Sequence, residues 1–173
     1  DGATAGTTVQ GGMGADNLTA SGSNDVLNGG AGNDTLTGTN LTQLTGGEGA
    51  DTFMMNTPSN VNSYATITDL EAGDVIDLTD GVSFTSSAVD LAATAVFQDY
   101  ANEAVNLLSG GSDGDAAWFQ FDGNTFIVAN ENASTDTATT DFENGTDSII
   151  QIEGEVDLSL ASYNQTQGTL EIA

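Results

Sequence analysis

Gly11-Gly12-Met13-Gly14-Ala15-Asp16-Asn17-Leu18-Thr19, Gly29-Gly30-Ala31-Gly32-Asn33-Asp34-Thr35-Leu36-Thr37 and Gly46-Gly47-Glu48-Gly49-Ala50-Asp51-Thr52-Phe53-Met54 are three copies of one nine-residue unit. Each fits Gly-Gly-x-Gly-x-Asp-x-U-x with U apolar, a pattern of a six-residue turn followed by a three-residue strand. A flexible Gly/Asn linker would carry glycines without a fixed apolar beat, and here the beat is kept. Val9, Leu18, Leu27 and Leu36 follow at nine-residue intervals, then Leu44 at eight and Phe53 at nine. The array therefore comprises about six units, from Gly2 to Met54.

The units between the good copies, Gly2 to Gln10, Ala20 to Asn28 and Gly38 to Thr45, keep the apolar position and lose most of the glycines. Thr7 and Thr42 replace the Asp in two of them, while Asp25 survives in the third. If two units make one coil, every second unit shares an edge. Asp16, Asp34 and Asp51 then stack on one edge, with Thr7, Asp25 and Thr42 on the other. Hard cations of the calcium type take carboxylate and carbonyl oxygens. The candidate ligands are thus Asp16, Asp34 and Asp51 together with the turn residues Gly12, Gly14, Gly30, Gly32, Asn33, Gly47 and Gly49. Asp25 is the candidate on the second edge. The spacing predicts a parallel β-roll with two Ca²⁺ ions in a single column, one between each neighbouring pair of good turns.

These motifs resemble the RTX family of calcium-binding proteins exported by type I secretion, over about a third of the chain. The resemblance implies a roll that stays unfolded inside the cell and folds outside, where calcium is plentiful. Extracellular calcium modules bind at roughly 10⁻⁴–10⁻³ M, which suits that setting.

Charge narrows the functions further. The 173 residues include 26 Asp and Glu and no Lys, Arg or His, for a formal net charge of −26. No side-chain salt bridge can form, self-repulsion opposes compaction, and Leu, Ile, Val and Phe supply only about a fifth of the residues, near the level at which charged chains stay disordered. Calcium is therefore expected to be required for the folded state. Nucleic-acid binding rests on Lys/Arg contacts to phosphate and attraction to anionic lipid needs basic residues, so both are excluded. Without His, Cys or Lys, the usual zinc sites, thiol nucleophiles, Ser-His-Asp triads and Schiff bases cannot be built. A carboxylate dyad remains possible only because carboxylates are numerous, and no enzyme activity is expected. The absence of Cys fits a bacterial surface protein, and no apolar run approaches the length of a transmembrane helix. The opening at Asp1, inside the repeat rhythm, suggests a processed product or a C-terminal fragment.

After the roll, over 1–55, the pattern predicts a β-rich C-terminal domain over 56–173 with one amphipathic helix. Tyr64 to Leu78 reads as two strands around a Glu71-Ala72-Gly73 turn. It resembles the Asp-Phe-x-x-Gly-x-Asp-x-Ile-Asp-Leu segment that follows the roll in serralysin-type RTX proteins, with Leu70 in place of Phe and one residue fewer. The resemblance makes Asp69 and Asp74 calcium candidates. A second copy, Thr140 to Ile150, has the full spacing and adds Asp141 and Asp147, although Gly and Asp also suit a simple turn here. Thr94 to Leu108 reads as the helix, with Phe97, Tyr100, Ala101, Ala104 and Leu108 on one face and Thr94 as N-cap. The segment 116–129 reads as a hairpin around Asp122-Gly123-Asn124, with Trp118 in the core or, as the alternative, as a sugar-stacking platform. Alternating Val156, Leu158 and Leu160, then Thr169 to Ala173, read as two strands. The layout of this half is similar to the C-terminal domain of large RTX surface proteins, S-layer proteins among them.

Two functions fit. One is a calcium-rigidified structural subunit of an extracellular layer or filament on a bacterial surface, assembling as a homo-oligomer, with a cell-surface glycan as a possible ligand. The other is a calcium-triggered folding and export module of a larger exoenzyme or adhesin. In the first, the tail Thr169 to Ala173 is expected to be free to pair in trans.

Overall fold

The structure, a computed structural model, describes residues 6–78, 83–132 and 141–173. Asp1 to Ala5, which open the first repeat unit, and Thr140, which heads the second Asp-Phe turn, lie outside the described residues.

The apolar beat becomes two ladders. Strands β1 (Thr8–Met13), β3 (Val26–Ala31), β5 (Gln43–Glu48) and β7 (Ala65–Ile67) run parallel in one sheet, and β2 (Asn17–Thr19), β4 (Thr35–Thr37), β6 (Thr52–Met54) and β8 (Val75–Asp77) run parallel in another. Register places Val9 on Leu27, Leu27 on Leu44 and Leu44 on Ile67. The facing ladder stacks Leu18, Leu36, Phe53 and Ile76. From Leu27 and Leu36 onward these side chains are fully buried between the sheets, and each contributes about 1.5–3 kcal/mol by leaving water. The two strands read in Tyr64 to Leu78 are thus the two sides of a fourth coil, and the ladders run past residue 55 without a break.

The remaining strands are β9 (Asp115–Phe121), β10 (Asn124–Asn130), β11 (Ser148–Ile152), β12 (Ser162–Asn164) and β13 (Thr169–Glu171). They extend the same two sheets. The first has the order β1-β3-β5-β7-β11-β10-β9, the second β12-β13-β8-β6-β4-β2. Alternation divides β9, β10 and β11 between two cores. Trp118, Ile127, Ala129, Ile150 and Ile152 face the roll. Ala117, Phe119, Phe126, Val128 and Ile149 face helix α1 (Phe97–Leu108) on the other side, which buries Ala101, Ala104, Val105 and Leu108 against them. The β9–β10 hairpin closes through Asp122 and Gly123, both at positive φ (49° and 76°), the two-residue turn whose twist matches the strands.

Three expectations change, and for Trp118 the core reading holds over its alternative. The helix begins at Phe97 rather than Thr94, because the Asp99 carboxylate accepts the Val96 N–H at 2.9 Å and so caps the first turn itself. Leu158–Leu160 is a 3₁₀ turn, started by Asp157 accepting the Ser159 N–H, rather than part of a strand. The tail is not free: β13 pairs antiparallel with both β8 and β12, and Leu170, fully buried, continues the Phe53–Ile76 ladder. Trp118 is 4% exposed and donates its indole N–H to the Ser86 carbonyl at 3.2 Å, so its ring offers no face to a sugar.

Candidate metal centre

The good turns stack as the repeat spacing requires. The Asp16 N–H donates to Asp34 Oδ1 at 2.8 Å, the Asp34 N–H to Asp51 Oδ1 at 2.8 Å, and the Asp51 N–H to Asp74 Oδ1 at 2.9 Å. One carboxylate oxygen each of Asp34, Asp51 and Asp74 is thereby spent on joining coils. The second oxygens of Asp16, Asp34 and Asp51 are buried and accept nothing. A buried carboxylate oxygen without a donor costs several kcal/mol unless a cation or a proton meets it, and the chain has no basic side chain to do so.

Glycine makes this arrangement possible. Gly12, Gly14, Gly30, Gly32, Gly47 and Gly49 all lie at positive φ, which L-residues avoid. A Cβ on Gly30 would collide with the Gly12 carbonyl oxygen, one on Gly32 with that of Gly14, one on Gly47 with that of Gly30 and one on Gly49 with that of Gly32. Those carbonyls therefore lie between successive coils. A Cβ on Gly11, Gly29 or Gly46 would likewise strike the second oxygen of Asp16, Asp34 or Asp51 in its own turn. These first glycines were not among the candidate site residues, though the motif marks them. Asn33 ties coils together, its Oδ1 accepting the Ala50 N–H at 3.2 Å. Among the described residues no three carboxylates converge, so a cation on this edge draws most of its ligands from the backbone.

The other edge is closed. Asp25 Oδ1 accepts the Thr7 N–H at 2.7 Å, and its Oδ2 accepts the N–H groups of Ser21 and Gly22. Thr42, fully buried, takes the Thr39 N–H on its hydroxyl at 3.0 Å, the same service from three residues further along. The titration shifts follow the contrast. The Thr7 amide leads, with Gly22 and Ser21 behind it and burial opposing, in holding the Asp25 carboxyl below its ordinary value. Burial pushes the Asp51 carboxyl up, against the Asp34 amide and with the Asp74, Asp34 and Asp69 carboxylates adding to the rise.

Asp69 and Asp74 end the column. Asp69 accepts the N–H groups of Gly46 and Gly47 on its two oxygens, both at 2.9 Å, and Asp74 Oδ2 accepts the Glu71 N–H at 2.8 Å. In the second copy Asp147 is buried and accepts from the N–H groups of Glu131 and Glu143, while Asp141 is exposed. The geometry of both copies is that of carboxylates satisfying turn amides.

A stack of glycine turns, each presenting one unsatisfied carboxylate oxygen and a row of carbonyls, defines a cation-binding parallel β-roll. Residues 8–40 match the family model of the RTX calcium-binding nonapeptide repeat (4 copies), and the segment is a run of such repeats. No curated protein matches the chain. These repeats bind Ca²⁺, as a structural rather than a catalytic motif, and are typical of secreted proteins. Among the described residues no helix is long and apolar enough to cross a membrane.

Proposed function

We propose that the chain is an extracellular calcium-rigidified structural protein, a subunit of a calcium-dependent layer or filament on a bacterial surface. The observation that carries this reading is the column of three buried, donorless oxygens on Asp16, Asp34 and Asp51 in a chain without one basic side chain. Calcium there joins coils that nothing else neutralises. A second feature favours assembly: among the described residues β1 and β2 have no strand on their outer sides. Because Thr7, just before β1, turns its backbone toward the second coil, alternation turns that of Thr8 and Gln10 outward, a row open to pairing with another copy. With the tail held inside the second sheet, this end replaces it as the pairing edge. Like-charged copies repel, so calcium must also screen the approach.

Light scattering and negative-stain microscopy across 0–20 mM calcium test the proposal. Ordered arrays should form in calcium and dissolve in chelator. A folded, calcium-loaded chain that stays monomeric throughout would overturn it in favour of a folding and export module of a larger protein.

A further inference from the structure

A pocket of about 320 Å³ opens at the end of the β9–β10 hairpin, between the first residue of α1 and the segment leading into β7. That volume lies at the lower end of the range for small-molecule sites, on the order of 300–1,000 Å³, and suits a single ring. Three half-buried aromatic residues, Tyr64, Phe97 and Phe121, form its apolar part together with the buried Phe126. The Phe97 ring centre lies 5.7 Å from that of Tyr64 and 5.6 Å from that of Phe121, with planes inclined by 49° and 63°. They make walls rather than a slab.

The polar groups decide what the walls enclose. Gln151 accepts the Thr66 hydroxyl on Oε1 at 2.9 Å, which fixes its amide and leaves Nε2 as a donor with no acceptor among the described residues. The Asp122 carboxylate, on the hairpin turn, and the Tyr64 hydroxyl and Asn62 amide are likewise without side-chain partners. An ammonium ligand could use the rings and Asp122, but it has no lone pair to accept from Gln151. An anion is opposed by Asp122 and by the −26 net charge. A neutral polyol ring meets every group: hydroxyls accept from Gln151 and donate to Asp122, while C–H faces rest on the aromatic walls.

We propose that this pocket binds one neutral pyranose unit of a glycan. The proposal is independent of whether the chain assembles. Saturation-transfer NMR on the calcium-loaded protein with the methyl pyranosides of glucose, galactose, mannose and N-acetylglucosamine tests it, with choline and glucuronate as charged competitors. At least one pyranoside should receive saturation at its ring protons and shift the Gln151 side-chain amide. Gln151→Glu, which keeps the bond from Thr66 and removes the donor, and Asp122→Asn should each weaken binding at least tenfold with the circular dichroism spectrum unchanged. The proposal is overturned if none of the four binds, if binding survives either substitution, or if choline displaces the sugar.

Discussion

Chelating calcium from the purified chain should abolish most of its β signal in circular dichroism at neutral pH, and returning millimolar calcium should restore it. The donorless oxygens of Asp16, Asp34 and Asp51 lie buried in one column, and 26 negative charges have no positive side chain to meet them. At 10 mM calcium and extracellular-type affinities, mass action gives about 1.4–2.7 kcal/mol per ion. Two ions then supply roughly 3–5 kcal/mol, a large part of the 5–15 kcal/mol that holds a typical domain together. Acid should partly substitute for calcium. Asp51 has its folded-state carboxyl raised above 3.8, chiefly by burial, so its contribution to stability is present below that value and is lost as pH rises through the folded value. Asp25, held low, contributes in the opposite sense. Chelated protein should therefore regain β signal near pH 4.5 that it lacks at pH 7, with the Asp51 column prevailing because relief of the net charge adds to it. A spectrum and melting curve identical in chelator and in calcium would remove the premise.

The second large effect is a contrast between two aspartates nine residues apart. Asp34 serves the turn above and the turn below, since it accepts from Asp16 and donates to Asp51, and a shared ligand leaves with both ions. Asp34→Asn keeps an oxygen for the Asp16 amide yet removes the charge. It should cost about 3–5 kcal/mol in 10 mM calcium and progressively less as calcium is lowered. Asp25→Asn breaks hydrogen bonds from Ser21 and Gly22 and should cost about 1.5–3 kcal/mol, by the same amount at every calcium concentration that folds the chain. Thermal unfolding of both variants across a calcium series measures the difference. Parallel calcium dependence in the two would show that the edges are equivalent.

Much of this arrangement could be read from residue order. The nine-residue beat predicts which side chains stack, as the registers have it, and the loss of Asp at Thr7 and Thr42 predicts two unequal edges, a contrast found in the amides that satisfy Asp25 and the donorless oxygens of Asp16, Asp34 and Asp51. The fourth coil was harder to see, because Ile67 lies 14 residues after Phe53, off the nine-residue beat, and no glycine turn marks that interval. The joining of the halves was not legible at all. Parallel pairing of β7 with β11 and antiparallel pairing of β8 with β13 link residues about 85 and 94 positions apart, and such non-local contacts leave no local pattern. Tail residues that alternate like a free edge strand read the same whether their partner is another copy or β8. The Asp69 and Asp74 carboxylates show a further limit: a turn that binds amides and a turn that binds a cation share Gly and Asp. Only the atomic positions separate an oxygen that has found an N–H from one that has not.

Calcium anomalous scattering from crystals grown in millimolar calcium tests the central claim most directly. Two ions are expected between the coils on the Asp16–Asp34–Asp51 edge, separated by one strand spacing, ~4.8 Å. Anomalous density beside Asp25 and Thr42, with the Asp34 edge empty, would contradict it.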